Sequence, residues 1–245
     1  MTDQTEFSGR IALITGASRG IGRATALALA EAGAHIVAVA RTQGALEELD
    51  DQITAKTGKA ATLVPLDLKD FDAIDRLGGA LFQKFGRLDF MIANAGILGD
   101  LTPLAHLEPK VWQDLMDINV TANYRLIRAM DPLLRASDQG RAIFVSTGII
   151  HHPRAYWGGY AASKAAVEMM ATIYADEVKT TSLKVNMVNP GATRTRMRAK
   201  AFPGEDPETL PTPEDVARLF VTLCREDWTS HGELIHYRDW AQQKT

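Results

Sequence analysis

Tyr160-Ala-Ala-Ser-Lys164 sets a phenol and an ammonium four residues apart. On a helix that spacing puts both on one face, where they can act on one ligand. A second stretch, Thr15-Gly16-Ala17-Ser18-Arg19-Gly20-Ile21-Gly22, is suited to an anion. Gly16 permits a tight turn, Gly20 leaves room for backbone to approach a pyrophosphate, and Gly22 lets a helix pack closely on a strand. A helix beginning there offers free N–H groups and the positive end of its dipole. Arg19 lies inside this turn. Arg41 follows the apolar run 35–40, where a carboxylate would bind the free ribose hydroxyls of NAD. Two guanidinium groups near one phosphate point to NADP(H) over NAD(H). Asp67-Leu68 ends a third apolar run, where Asp can hydrogen-bond an adenine amino group and Leu can pack nearby. Asn94-Ala95-Gly96 ends a fourth, where Asn can fasten strand ends together.

The elements that must position these residues alternate along the chain. Short apolar runs at 10–15, 35–40, 61–66, 88–93, 142–145, 184–188 and 233–237 read as strands. Helical spacing covers 21–32, 43–57, 70–85, 109–137 as one helix or two, and 160 to about 179. Gly78-Gly79 weakens the third of these, and Pro65 places the third strand near a sheet edge. Such alternation implies an α/β fold, doubly wound, with a mainly parallel sheet and helices on both faces. Residues 191–212 read as a long irregular segment at the C-terminal edge of the sheet, where ligands bind in such folds. Nothing resembling a linker divides the chain. The expectation is one domain over 1–245, with a nucleotide-binding half at about 8–100 and a catalytic half at about 101–245.

Composition narrows the function classes. A chain of 245 residues, 46% hydrophobic and 23% charged, is within reach of one α/β domain and too apolar for disorder. Lys and Arg number 27 against 30 Asp and Glu, so no basic excess is left for a nucleic acid. The single cysteine, Cys224, allows no intrachain disulfide and no cysteine zinc site. His151 and His152 are adjacent, a poor spacing for a metal, and none is expected. No run approaches the ~18 apolar residues of a membrane span. The polar, acidic residues 1–7 are unlike a signal peptide. A cytoplasmic protein with no membrane partner is expected.

Taken together, Thr15-Gly-x-x-x-Gly-Ile-Gly22, Asp67, Asn94-Ala-Gly96, Asn119, Tyr160-x-x-x-Lys164 and Pro190-Gly191 resemble the short-chain dehydrogenase/reductase family, over about residues 8–225. The resemblance implies a Rossmann-type sheet of seven strands and hydride transfer between a nicotinamide and a small carbonyl or alcohol substrate. It also implies a homodimer or homotetramer. Tyr160 would then be the general acid/base. A free phenol titrates near pH ≈ 10, so work near neutrality asks for roughly 4 kcal/mol. One ammonium at ~4 Å supplies about that much, and Lys164 is the candidate. By resemblance Lys164 also binds the nicotinamide ribose, and Asn119 holds a water or the backbone of a proton relay. The family's substrate-orienting serine falls on Thr147 here, with Ser146 as the alternative; strand neighbours point to opposite faces, so one of the two should face the substrate. Thr193 and Thr195, after Pro190-Gly191, would lie by the nicotinamide carboxamide.

Tyr156 and Trp157, between Thr147 and Tyr160, could stack a flat or apolar substrate, or pack under their loop or at a subunit contact. Arg194, Arg196 and Arg198 could attract an anion or form a solvated helix face. The leading expectation is an NADP(H)-dependent carbonyl reductase or alcohol dehydrogenase. Alternatives are a 3-oxoacyl-acyl-carrier-protein reductase and a nucleotide-binding regulatory or scaffold protein without turnover. Many members of the family end with Gly-Gly after the last strand. This chain instead has Gly232 before it and Arg238-Asp-Trp240 after it, which puts in doubt the tetramer contact usual there.

Overall fold

Ile11-Ala-Leu-Ile-Thr15 buries every side chain, a pattern that only a strand covered on both faces produces. In the computed structural model, which describes residues 6–243, this strand is central. The strands are β1 (Ile11–Thr15), β2 (His35–Ala40), β3 (Thr62–Pro65), β4 (Phe90–Ala93), β5 (Arg141–Val145), β6 (Lys184–Asn189) and β7 (Leu234–His236). They form one parallel sheet in the order β3-β2-β1-β4-β5-β6-β7. Pro65 lies on the edge strand, where a missing N–H breaks no ladder.

Alternate strand residues feed two core layers. Ala12, Ile14, Ile36 and Ile92 face α1 (Gly20–Glu31), α2 (Gln43–Thr57) and α8 (Pro213–Cys224). Leu13, Val37, Val39 and Met91 face α3 (Phe71–Phe85), α5 (Ala122–Arg135) and α6 (Gly158–Val178). The chain reverses its winding between β3 and β4, so β1 and β4 lie side by side. Their C-terminal ends part there into the crevice where such sheets hold ligands. No helix among the described residues is long and apolar enough to cross a membrane.

Residues 109–135 form two helices, one of the two forms expected: α4 (Pro109–Leu115) and α5, joined by a turn of π-helix at Met116–Thr121. One segment differs from the sequence expectation. The segment 191–212 is not irregular throughout. It contains α7 (Arg196–Ala201), capped by Thr195, and a 3-10 turn at Pro207–Thr209, capped by Asp206. Arg-Met-Arg-Ala-Lys-Ala shows no apolar stripe, so periodicity could not reveal it. The last helix, α9 (Tyr237–Gln242), follows β7 and buries Trp240.

The glycine pair in α3 does not interrupt the helix, whose start is capped by Asp70 accepting from the Ala73 N–H at 2.9 Å. A Cβ on Gly78 would lie 2.6 Å from the Ala129 carbonyl oxygen of α5, whereas Gly79 faces open space. Gly78→Ala should therefore destabilise the protein by about 1–3 kcal/mol through overpacking. Gly79→Ala should stabilise it by roughly 0.5–1 kcal/mol. Urea unfolding midpoints check both signs, and equal effects would show that α3 does not approach α5 this closely.

Candidate active site

The crevice is assembled from strand ends. α1 begins at Gly20 with no side chain capping it and no acid in its first turn, so its leading N–H groups and dipole are open to an anion. Gly16 adopts φ +68°, and a Cβ there would come within 2.9 Å of the Asn94 amide. That amide donates to the Thr15 carbonyl at 2.9 Å. The Thr15 hydroxyl accepts from the Asn94 and Ala95 N–H groups at 3.1 and 3.0 Å. Asn94 thus fastens the end of β4 to the end of β1, as expected from its position. Thr195 reaches across from the other side: its methyl lies 3.5 Å from where a Gly20 Cβ would stand. Its hydroxyl caps α7, and buried Thr193 donates to the Pro190 carbonyl at 3.1 Å. Gly191 N–H is held by Asn189 Oδ1 at 3.0 Å.

Arg19 and Arg41 are exposed, and among the described residues neither side chain makes a hydrogen bond or ion pair. Part-buried Ser18 lies in the same turn, whereas Ile21 packs onto the core. Asp67 is exposed and accepts from the Lys69 N–H with one carboxylate oxygen. Leu68 is buried in the core layer of α3, so its side chain serves packing. Arg194 and Arg198 are tied to Glu208 and Glu205.

β5 and α6 bring the reactive groups together. Lys164 is buried, and its Nζ donates to the Val145 carbonyl at 2.7 Å. Among the described residues no carboxylate pairs with it, and burial pulls its pKa down to about 8. Burial likewise pushes the Tyr160 phenol up to about 12, with the Thr147 side chain pulling the other way. The expected lowering of the phenol by Lys164 is not what the protein groups produce. Loss of hydration outweighs it, and each group is biased towards its neutral form. Thr147 also caps the 3-10 turn Gly148–Ile150. Ser146 is 2% exposed and donates to Glu168 Oε2 on α6.

Asn119 lies in the π-helical turn and is fully buried. Its Oδ1 accepts from the Ile97 N–H at 2.8 Å, and its Nδ2 donates to the Ile97 carbonyl and to Ser163 Oγ at 3.0 Å each. It therefore locks the segment after β4 against α6. A Cβ on Gly96 would lie 3.2 Å from Asn119 Oδ1 and 3.5 Å from Lys164 Nζ, so all three elements converge there.

An apolar wall that spacing did not reveal surrounds the phenol. Leu98 and Leu115 pack with Tyr160, flanked by Ile149 and Trp157. The Trp157 ring meets Tyr160 edge-on with centroids 6.0 Å apart and lies 5.7 Å from Phe202. Arg198 and Arg154 stack on Phe202 at 3.8 and 5.2 Å. Tyr156 is exposed, at φ +76°. Among the described residues no group of three His, Cys, Asp or Glu side chains could hold a metal ion.

The family model for short chain dehydrogenases matches residues 10–206. An Escherichia coli (strain K12) protein, named uncharacterized oxidoreductase YciK, is 42% identical over 226 residues, 91% of this chain and 89% of its own. A short chain dehydrogenase structure from Shigella flexneri 2a str. 301, complexed with NADP, superposes with a TM-score of 0.92 at 40% identity, covering 97% of this chain and 100% of that one. One from Escherichia coli CFT073, complexed with NADPH, gives 0.92 at 39%, covering 97% and 99%. The chain belongs to the short-chain dehydrogenase/reductase family of oxidoreductases.

Burial of Lys164 has a consequence for stability. The unfolded lysine titrates at 10.5 and the folded one at about 8, so between these values the unfolded state holds more protons and stability rises with pH. The lysine contributes a gain of about 3 kcal/mol across that window. Denaturation of wild type and Lys164→Met from pH 8 to 10.5 should show their gap shifting by this amount in favour of wild type. A gap independent of pH would mean that the folded ammonium is not desolvated.

Proposed function

We propose that this protein is an NADP(H)-dependent carbonyl reductase or alcohol dehydrogenase in which Tyr160 is the general acid/base. The observation that carries the reading is the convergence of the Tyr160 phenol, the Thr147 side chain and the Lys164 ammonium beside the β1–β4 crevice. The relatives crystallised with NADP and NADPH support the choice of cofactor. The residues present fit it: an uncapped helix start suits the pyrophosphate, and two unpaired arginines suit a 2′-phosphate.

Gly16, Gly20 and Gly22 would cradle the pyrophosphate with Ser18 and Ile21 beside them. Arg19 and Arg41 would take the 2′-phosphate, and Asp67 the adenine amino group. Asn94, Ala95 and Gly96 would line the floor, Lys164 would hold the nicotinamide ribose, and the segment Pro190, Gly191, Thr193 and Thr195 would face the carboxamide. The cofactor, when bound, supplies or accepts the hydride. The protein's part is the proton. Tyr160 is held neutral by burial and so stands ready to donate to a carbonyl oxygen positioned by Thr147. Lys164, still mainly an ammonium at pH 7, stabilises the phenolate left behind. Asn119 keeps the Ile97 segment and α6 in register. The wall of Leu98, Ile149 and Trp157 favours an apolar substrate. A buried ammonium with no carboxylate partner is costly, and a scaffold without turnover has no use for it.

The test is a turnover screen with NADPH and NADH against aldehydes, ketones and 3-oxoacyl thioesters. Tyr160→Phe should lose ~10²–10⁴-fold in kcat while still binding NADPH. Thr147→Ala should lose much more than Ser146→Ala. Arg19→Ala and Arg41→Ala should each raise the NADPH KM by about tenfold or more and leave that for NADH unchanged, the worth of one charge-assisted hydrogen bond. Undiminished turnover by Tyr160→Phe, or a lower KM for NADH in wild type, would refute the assignment.

The same reading includes a homodimer. Tyr124 on α5 is exposed, as is a stripe of Ala162, Ala165, Met169 and Ile173 on α6. A closed two-fold contact would bury it. Light scattering should give a dimer or a larger even assembly, and Met169→Glu should shift it towards monomer. A monodisperse wild-type monomer overturns this.

A further inference from the structure

Glu168 lies four residues beyond Lys164 and eight beyond Tyr160, so all three start from one face of α6. Its carboxylate is divided between two partners. Oε2 accepts the Ser146 hydroxyl, and Oε1 pairs with His151 Nε2 at 3.0 Å. The carboxylate is mostly buried, with 17% of the side chain exposed. Ser146 follows the last residue of β5, and His151 closes the 3-10 turn Gly148–Ile150. The two anchored residues therefore bracket 147–150, the segment that carries Thr147. Within it the Thr147 side chain meets the Tyr160 phenol, and the remaining ties are local. The Thr147 hydroxyl accepts from the Ile149 N–H at 3.4 Å, and the Gly148 carbonyl accepts from the N–H groups of His151 and His152. At the strand end, Ser146 N–H donates to the Val188 carbonyl, which fixes the backbone of β5 on β6, and Lys164 holds the Val145 carbonyl one residue earlier, so Glu168 is the tie to α6 that reaches the residues on either side of Thr147–Ile150.

We propose that Glu168 is a positioning residue for the reaction: one carboxylate ties both ends of the Thr147 segment to the helix that carries Tyr160, and so sets where the Thr147 hydroxyl stands relative to the phenol. The inference rests on the assignment of Thr147 as the group that orients the substrate oxygen. It also accounts for the idle state of Ser146, whose hydroxyl serves Glu168. The role is geometric, and displacement of an orienting group by about 1 Å can cost on the order of a hundredfold in rate.

Glu168→Ala removes both ties. Glu168→Gln keeps a carbonyl oxygen for Ser146 and an amide that can donate to the His151 ring. The expected result is a fall in kcat of roughly 10- to 100-fold for Glu168→Ala, with the NADPH Kd and thermal midpoint near wild type, and recovery of kcat in Glu168→Gln. Combining Glu168→Ala with Thr147→Ala should cost no more than Thr147→Ala alone, because a missing hydroxyl cannot be misplaced. If the two losses multiply, or if Glu168→Ala leaves kcat intact while Thr147→Ala lowers it, the positioning role is wrong and the Thr147 reading stands. If Thr147→Ala is silent, the Thr147 reading itself fails. Should Glu168→Ala not fold, the pair Ser146→Ala and His151→Ala, which cuts both ties from the other side, is expected to show the same loss. Wild-type kcat in that pair would equally overturn the proposal.

Discussion

The interaction on which this site depends is a single hydrogen bond from the buried Lys164 ammonium to the carbonyl of Val145. An ammonium without hydration or a carboxylate is expensive, and one carbonyl does not offset that cost. The fold must therefore hold it there, and the surroundings show how. α6 packs on the sheet through Val167, Ala171 and Tyr174. Asn119, from the π-helical turn, grips Ser163 immediately before the lysine and the Ile97 backbone behind it. Gly96 leaves the space that the lysine tip fills. A π turn inserted between α4 and α5 turns Asn119 inward, a use of irregular helix that recurs at functional sites.

Burial favours the neutral form of the phenol and of the ammonium alike, raising one pKa and lowering the other, and this bears on the chemistry. Coulomb attraction alone makes Lys164 an activator that pulls the Tyr160 pKa down. Desolvation of both groups reverses that for the protein's own groups, leaving Tyr160 at about 12 and Lys164 at about 8. Both values lie above neutrality, so at pH 7 the phenol is neutral and the lysine still mainly an ammonium. In the reduction proposed for this site, a neutral phenol that gave its proton to substrate would become an anion near an ammonium already in place, so the attraction would be felt most after transfer. An interaction that strengthens along the reaction lowers the barrier, whereas one present from the start does not.

Much of this arrangement was legible in the chain because it follows from local pattern. β1, β2 and β4 bury their residues on both faces and read as continuous apolar runs; Pro65 marks the edge; Gly16, Gly20 and Gly22 mark the turn. What was not legible comes from contacts between distant residues. Gly78-Gly79 reads as a flaw in α3, yet at Gly78 the backbone of α5 comes too close to admit a Cβ. α7 lacks an apolar stripe because its work is done by Thr195 at its start and Phe202 past its end. Glu168 carries no motif at all, since its partners at 146 and 151 are some twenty positions away in sequence and adjacent only in the fold.

Charge shows the same distinction between what is counted and what is placed. Six arginines stand near the crevice and its covering loops, at 19, 41, 154, 194, 196 and 198, in a chain whose net charge is −3. Arg194 and Arg198 are neutralised by Glu208 and Glu205, and Arg154 and Arg198 stack on Phe202. That stack places Phe202 against Trp157, and Trp157 against Tyr160. These arginines therefore hold an apolar cover in place. Among the described residues the exposed side chains of Arg19, Arg41 and Arg196 have no partner, and the first two stand at the start of α1 and the end of β2. A cation with no internal partner beside an uncapped helix start is free to spend its whole interaction on a ligand, and a divalent phosphate monoester is the group that needs two of them.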